Sequence, residues 1–423
     1  MTGPVPPHLL PDSATVDADG EMTVGGLRLT DLAAEFGTPL FVYDEDHLRA
    51  RCQEAVAGFG DTVAYATKAF LCKAMAKLAY EEGMLLDVAT GGEIYVALAA
   101  GVPASQLVLH GNNKSLAELE MAIDSGVGRI VVDSFDELDR LDQLHADGRP
   151  APEVLLRVTP GVNAHTHEFI ATGQDDSKFG FTVSNGTADR AMTRAVASES
   201  VNVIGVHAHV GSQVFRIESF YESVRVIAQF AAQFKLAELS VGGGLGVAYI
   251  EGEEAPTISQ WAAQCRKACD EAGVTAKVSA EPGRSIVAAA AITLYTVGTI
   301  KDIPGVREYL SVDGGMSDNP RPVLYGSGYE AFLPRAANAE RNRKLTVVGK
   351  HCESGDRLVI DAQVPSEVQV GDILATPVTG AYGHSMGSNY NKVLRPPVVF
   401  VSNGVARKVV ERETYADLVS RDR

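Results

Sequence analysis

The sequence predicts an α/β protein, a TIM-like (β/α)8 barrel combined with a discontinuous all-β domain, and three observations carry that prediction. Eight short apolar runs alternate with helical patterns between residues 62 and 284. Runs of that kind suit parallel strands buried on both faces, and strict strand–helix alternation marks parallel α/β architecture. The glycine-rich stretch Gly242-Gly243-Gly244-Leu245-Gly246 follows the seventh run. A doubly wound open sheet, the rival arrangement, places its phosphate loop after the first strand. After about residue 290 the alternation stops, and strand-like segments separated by Gly, Pro and Asp take over.

In chain order, Glu21–Val24 and Leu27–Thr30 flank Gly25-Gly26, which reads as a hairpin, and a short helix is expected over Asp31–Phe36. The barrel strands are expected at 62–68, 84–89, 106–112, 129–134, 153–159, 202–212, 237–246 and 276–284. Apolar residues at helical spacing predict helices over Leu71–Glu82, Gly92–Ala100, Ser115–Ser125, Phe135–Ala146, Ile217–Phe234 and Ile258–Ala272. Strands follow at Leu294–Val297, Tyr309–Val312, Leu345–Val348, Leu358–Asp361, Ile373–Pro377 and Val398–Val401. The expected domains are 1–44 as the first part of the β domain, 45–290 as the barrel and 291–423 as the rest of the β domain.

Composition narrows the function classes. The net charge of -17 disfavours nonspecific binding to nucleic acid or an anionic membrane surface. No apolar stretch approaches the roughly 18 residues of a spanning helix, and Ile286–Leu294 is alanine-rich and reads as buried protein. The amino terminus has neither a basic nor an apolar leader region, so a cytoplasmic protein is expected. Cys52, Cys72, Cys265, Cys269 and Cys352 are odd in number and scattered, which argues against a disulfide framework. Cys265 and Cys269 share a helix face without a matching pair nearby, a packing pattern and not a zinc site.

The chemistry-bearing residues gather at the carboxyl ends of the barrel strands, the working face of such barrels. Lys68 ends the first run, and a lysine there can anchor a carbonyl cofactor as a Schiff base. Gly242, Gly243 and Gly244 let backbone N–H groups wrap an anion. In Glu281-Pro-Gly-Arg284, Arg284 can neutralise a phosphate or carboxylate, while Glu281 in the barrel mouth needs a cationic partner such as a protonated pyridine nitrogen. Together these residues point to pyridoxal 5'-phosphate. His209 and Ser212 end the sixth run; a two-histidine metal site with His207 lacks an identifiable third ligand, so no metal is expected. Stacking on a planar cofactor suits His209, and a core position satisfied by backbone suits His207. Asp87 either orients the lysine or cofactor nitrogen, or caps the helix beginning near Gly91. Gly111-Asn-Asn-Lys114-Ser115 lacks Walker spacing, and Asp17-Ala-Asp19-Gly20 lacks the remaining ligands of a calcium loop.

Read jointly, Tyr65-Ala-Thr-Lys68-Ala, Asp87-Val-Ala-Thr-Gly-Gly-Glu93, Asp176-Ser-Lys-Phe-Gly180, His207-Ala-His-Val-Gly-Ser-Gln213, Gly242 to Gly246, Glu281-Pro-Gly-Arg284, Cys352-Glu-Ser-Gly-Asp356 and Gly380-Ala-Tyr382 form an ordered set spanning nearly the whole chain. The set resembles the fold-type III, alanine-racemase-like pyridoxal phosphate decarboxylases, and within them most closely the diaminopimelate decarboxylases. The resemblance implies an alanine racemase-like fold and a set of roles. Lys68 would carry the cofactor, His209 would stack on its ring, and Glu281 would keep the ring nitrogen protonated, with Asp87 nearby. Ser212, Gly242, Gly243, Gly244, Arg284 and Tyr382 would surround the phosphate. Arg321 and Tyr325, in Asn319-Pro-Arg321-Pro-Val-Leu-Tyr325, would hold the distal carboxylate of an amino-acid substrate, and Glu353 its ammonium; Arg284 and Tyr382 count on the substrate side as well. Cys352 would supply a proton. Cys352 and Glu353 would come from the partner subunit of a homodimer with shared active sites. The implied reaction converts meso-2,6-diaminopimelate to L-lysine and CO2, the last step of lysine biosynthesis. The alternatives are decarboxylation of ornithine, arginine or another amino acid, a racemase of the same fold, which Glu281 disfavours because such enzymes place arginine there, or a noncatalytic cofactor-binding protein, which the β domain disfavours.

Overall fold

The computed structural model describes residues 3–161 and 176–423. The chain divides into two compact units, one of residues 51–247 and 255–285, the other of 1–50, 248–254 and 286–423. The excursion at 248–254, which joins the second of these, has no counterpart in the sequence-based division.

The first unit is the barrel. Its eight parallel strands are Ala64–Ala66, Leu85–Val88, Leu107–Leu109, Arg129–Val132, Glu153–Thr159, Asn202–His207, Glu238–Ser240 and Lys277–Ser279, each paired with the next in chain order. The Ala64 N–H donates to the Ala280 carbonyl at 2.9 Å and the Ala66 N–H to that of Pro282 at 3.0 Å, joining first strand to last. Ala64, Leu85, Val108, Val131 and Leu155 form one buried layer against which Ile204 packs. Such layers of side chains from neighbouring strands fill a barrel interior and leave no pore.

Several strands stop earlier than the apolar runs suggest. The run 237–246 keeps only Glu238–Ser240 in the ladder, because Gly242 and Gly244 take φ of +70° and +113°. The run 276–284 keeps Lys277–Ser279 before Pro282 removes a backbone donor. The residues released from the ladder line the loops at the strand ends. Elements not expected from sequence include the helix Glu45–Phe59, the short strand Phe181–Thr182, paired parallel to the fifth barrel strand, and the helix Thr187–Val196. The buried face of that helix is Ala188, Ala191, Met192 and Ala195, too small and mixed to stand out as an apolar stripe.

Helix starts follow from capping chemistry. Ser115 and Thr257 form capping boxes with Glu118 and Gln260, and Thr90 and Ser134 accept from the Glu93 and Glu137 N–H groups. Cys265 and Cys269 are buried on Ile258–Glu271, and burial pushes the Cys269 thiol up to about 12, so both pack as small apolar groups.

In the second unit, Arg357–Val364, Arg343–Val348, Arg307–Val312, Ala291–Ile303, Leu40–Asp44, Val398–Ser402 and Val405–Val410 form a sheet in that order, and Ile373–Pro377 also pairs with Ala291–Ile303. Leu40–Asp44, buried at every residue, runs between Ala291–Ile303 and Val398–Ser402, so the N-terminal segment supplies an inner strand of a sheet otherwise built from the C-terminal third. Met22–Val24 and Leu27–Arg28 pair as the expected hairpin. Among the described residues no helix is long and apolar enough to cross a membrane.

One buried ion pair ties the upper ends of two barrel strands together. Lys114 Nζ lies 2.7 Å from Glu137 Oε1 and donates to the Gly111 and Val131 carbonyls, with both side chains 1% exposed. Lys114→Ala leaves Glu137 buried without its cation and should lower the unfolding free energy by about 3–5 kcal/mol. Urea titration should show that loss, and Lys114→Met combined with Glu137→Leu should recover most of it.

Candidate active site

Closure of the barrel sets the centre of the site. The Thr67–Ala69 turn carries Lys68, whose side chain is exposed at the end of the first strand. Thr67 Oγ1 donates to the Asp87 carbonyl at 2.8 Å and Tyr65 Oη to the Phe70 carbonyl at 2.7 Å, so buried bonds hold the turn on both sides of the lysine. Gly283 approaches the same strand end so closely that an added Cβ would lie 2.9 Å from the Ala66 Cβ. The Glu281–Arg284 turn is thereby held against the turn that carries Lys68.

The glycine loop packs against the sixth strand and the Glu281 backbone. Cβ atoms on Gly242, Gly243 and Gly244 would meet the carbonyl oxygens of Ala208, Glu281 and Gly211 at 2.2–2.3 Å. Only glycine permits that approach. The Gly243 N–H donates to His209 Nδ1 at 3.0 Å, which makes Nδ1 an acceptor and leaves the ring proton on Nε2. Burial, then the Lys68 and Arg157 cations, hold the His209 imidazole well below its ordinary range. His209 is a neutral, oriented ring. Arg284 Nη2 donates to Ser212 Oγ at 2.9 Å, joining the loops after the sixth and eighth strands beside those glycines.

Glu281 is buried and well served by donors. His207 Nε2 lies 2.9 Å from its Oε2, and Ser240 Oγ donates to its Oε1 at 2.8 Å. Burial pushes this carboxyl up, but the His110 and His207 imidazoles more than offset that and leave it well below the usual carboxylate range. His207 is a core residue as expected, but its partner is the Glu281 carboxylate and not the backbone. Asp87 is not a helix cap: Thr90 caps Gly91–Ala99, and the Asp87 carboxylate lies 3.7 Å from His110 Nε2. His110, His207 and Glu281 place ligand-type atoms within 4.8 Å of one another, a set that joins His207 to two residues other than His209. Two ligands of one tetrahedral zinc stand about 3.3 Å apart, so the 2.9 Å between His207 and Glu281 is a hydrogen bond and not a ligand–ligand spacing.

The remaining residues singled out from sequence lie in the β unit. Arg321 lies on the short helix Arg321–Tyr325 and is only 4% exposed, not the solvated loop residue that a proline-rich stretch suggests. Its Nη1 donates to Tyr329 Oη at 2.7 Å, its guanidinium carbon sits 4.1 Å from the Tyr249 ring centroid, and Nε has no hydrogen-bond partner among the described residues. Burial works against its charge, and the phenols of Tyr249, Tyr329 and Tyr382 more than offset that. Asp318, just before this segment, accepts from Tyr295 Oη at 2.6 Å and from the Gly315 N–H at 2.9 Å. Tyr325 and Tyr382 are half-buried. Cys352 and Glu353 are exposed; the Cys352 N–H donates to Asn391 Oδ1 at 3.0 Å, and Tyr390 Oη donates to Glu353.

Sequence reasoning missed His110, Asp133, Arg157, Ser240 and Tyr249. One signal was available. The strands from the second to the sixth carry an ionisable residue at or beside the carboxyl end, namely Asp87, His110, Asp133, Arg157 and His207. Tyr249 had no such signal, since its role depends on which unit the 248–254 excursion joins.

Residues 45–288 match the family described as pyridoxal-dependent decarboxylase, pyridoxal binding domain. The diaminopimelate decarboxylase of Halalkalibacterium halodurans is 46% identical, with 97% of each chain covered. That of Mycobacterium tuberculosis is 44% identical over 98% of this chain and 97% of its own. The chain belongs to the diaminopimelate decarboxylase family. A crystal structure of the M. jannaschii member in complex with L-lysine has a TM-score of 0.91 at 33% identity, covering 97% of this chain and 98% of that one. A lysine/ornithine decarboxylase from Vibrio vulnificus, at 22% identity and a TM-score of 0.74, shares the fold.

The barrel residues fit the cofactor of this family. A lysine presented at a strand end, a neutral imidazole fixed in orientation, a buried anionic carboxylate and a glycine loop beside a serine–arginine pair match, in turn, an aldehyde, a ring face, a protonated pyridine nitrogen and a phosphate. The His209 assignment is checked by ¹⁵N NMR of the imidazole. The ring should remain neutral, protonated on Nε2, from pH 8 down through pH 6.5, because its folded-state affinity for a second proton is depressed.

Proposed function

We propose that this protein decarboxylates meso-2,6-diaminopimelate to L-lysine with pyridoxal 5'-phosphate. The observation that carries the substrate assignment is the buried Arg321, held by Tyr329 and Tyr249 with its Nε unpartnered among the described residues. A fixed, desolvated guanidinium suits a second carboxylate and repels the lone distal ammonium of ornithine.

Bound pyridoxal phosphate supplies an electron sink for the charge left on carbon when CO2 departs. The protein's own groups do the rest. Lys68 holds the cofactor covalently, and the neutral His209 ring covers one face without adding charge. Glu281 keeps a proton on the ring nitrogen, which preserves the sink; the family alternative of a racemase calls for a weaker sink. Arg284, Ser212 and the Gly242–Gly244 N–H groups bind the phosphate, with Tyr382 as a further donor, and Asp87 supports the same end of the barrel. Arg321 and Tyr325 hold the distal carboxylate and Glu353 the distal ammonium. The Cys352 thiol returns a proton to the carbon that lost CO2.

Cys352 and Glu353 lie exposed on the β unit, and Val323 and Ile360, also exposed, line one cleft of about 570 Å³ with Gly355. Reactive side chains exposed on a unit other than the one that carries Lys68 support a homodimer in which each active site draws Cys352 and Glu353 from the partner subunit. None of the five cysteines is in a disulfide among the described residues, consistent with work in the cytoplasm.

The substrate assignment is tested by CO2 release from meso-diaminopimelate, ornithine, arginine and lysine. Diaminopimelate should be preferred, and Arg321→Ala should cost roughly 2–5 kcal/mol of transition-state binding, about 1.5 to 3.5 powers of ten in kcat/KM. The same variant should leave the bound-cofactor spectrum unchanged and gain no useful ornithine activity. Preference for ornithine in the unsubstituted enzyme would overturn the assignment.

Shared sites are tested by mixing Lys68→Ala and Cys352→Ala subunits, each inactive alone. Mixed dimers regain one intact site, so activity should reappear under conditions that exchange subunits. If exchange occurs and activity does not return, each subunit works alone.

A further inference from the structure

Glu281 is the only carboxylate among the described residues with two histidines and a serine around it, and these partners differ in kind. Ser240 Oγ and His207 Nε2 supply neutral hydrogen bonds, at 2.8 Å and 2.9 Å. His110 Nε2 lies 3.3 Å from Glu281 Oε1 and 3.7 Å from Asp87 Oδ1, between two buried carboxylates. The His110 and His207 rings meet edge to face, 4.9 Å apart with an interplanar angle of 70°. That packing fixes the plane in which His110 presents its Nε2.

We propose that His110 is the positioning residue for Glu281, standing between it and Asp87 so that Glu281 faces the cofactor's ring nitrogen in fixed geometry. This rests on the assignment of Glu281 to that nitrogen. The physical need is plain. A carboxylate taken out of water keeps its charge only beside a cation, and two carboxylates sharing one imidazole would otherwise compete for a proton. The groups facing His110 are Asp87, Glu281, Arg157 and His207; burial opposes its charge, and the two carboxylates outweigh both burial and Arg157, raising it above its ordinary value. His207 is displaced the other way, by burial first and then by His110 and Arg157, despite the attraction of Glu281. His110 is therefore the more readily protonated of the two imidazoles, and His207 orients the carboxylate. Without His110, Glu281 loses one of the two imidazoles beside it, and a proton bound by Glu281 cannot also be held on a pyridine nitrogen.

The test compares cofactor affinity of the apoprotein for pyridoxal phosphate and for its 1-deaza analogue, in which a C–H replaces the ring nitrogen. His110→Gln should weaken pyridoxal phosphate by about tenfold or more, the scale of one charge-assisted hydrogen bond, and leave the deaza analogue within about twofold. A merely structural role would weaken both alike and overturn the proposal, as would no effect on either. Glu281→Gln is the reference: if it fails to discriminate the two cofactors, the assignment of Glu281 to the nitrogen falls. If it discriminates and His110→Gln does not, only the positioning role falls. A second measurement needs no variant: ¹⁵N NMR of the unsubstituted apoprotein should find that the His110 ring takes up its second proton at higher pH than the His207 ring, and the reverse order overturns the proposal.

Discussion

Closure of the barrel, made where the Ala64 and Ala66 N–H groups donate to the Ala280 and Pro282 carbonyls, brings the two ends of a sequence span of more than two hundred residues into hydrogen-bonding distance. Parallel strands point all their carboxyl ends to one face, so every loop that follows a strand opens there. Joining first to last then puts the Lys68 turn beside the Glu281-Pro-Gly-Arg284 turn, and Gly283 is what lets them meet, since a side chain there would collide with Ala66. The glycine loop is seated by the same kind of constraint, with carbonyl oxygens occupying the positions where Cβ atoms would be.

The charges at that face form a system that could not be assembled one residue at a time. Asp87, Asp133 and Glu281 are buried with Arg157 and His110 among them, and Lys114 is buried against Glu137 just below. Each ion would be costly alone in a medium of low polarity, and each is tolerable because a partner of opposite sign is held by a neighbouring strand. The arrangement is held by the hydrogen-bonded backbone of neighbouring strands, and fixed dipoles of that kind need little reorganisation during a reaction. His209 is held in the same way: a backbone N–H from the glycine loop fixes its tautomer, while burial and then the nearby cations keep a second proton away.

Arg321 illustrates how a local reading can mislead. Flanked by Pro320 and Pro322, it has the sequence look of an exposed loop residue. Its burial follows from the aromatic rings of Tyr329, eight residues on, and of Tyr249, which reaches it only because the 248–254 excursion joins the β unit. Cation–π contact and a phenolic hydrogen-bond acceptor replace the water that a guanidinium surrenders on burial. The strand Leu40–Asp44 is a comparable case, five buried residues that become an inner strand of the β sheet through partners some 250 and 350 residues away.

By itself the sequence determined the α/β alternation, the barrel, the β segments and the identity of the residues at the strand ends, because these depend on local periodicity, on glycine and proline, and on which side chain closes each apolar run. Lys68, His209, the Gly242–Gly244 loop, Glu281 and Arg284 were legible for that reason. Only the tertiary structure decided that His207 bonds to Glu281, that His110 stands between Glu281 and Asp87, and that Arg321 is enclosed by Tyr249 and Tyr329. Each of those outcomes is a contact between residues distant in the chain. Local pattern carries no information about such pairs; chain closure and packing select them.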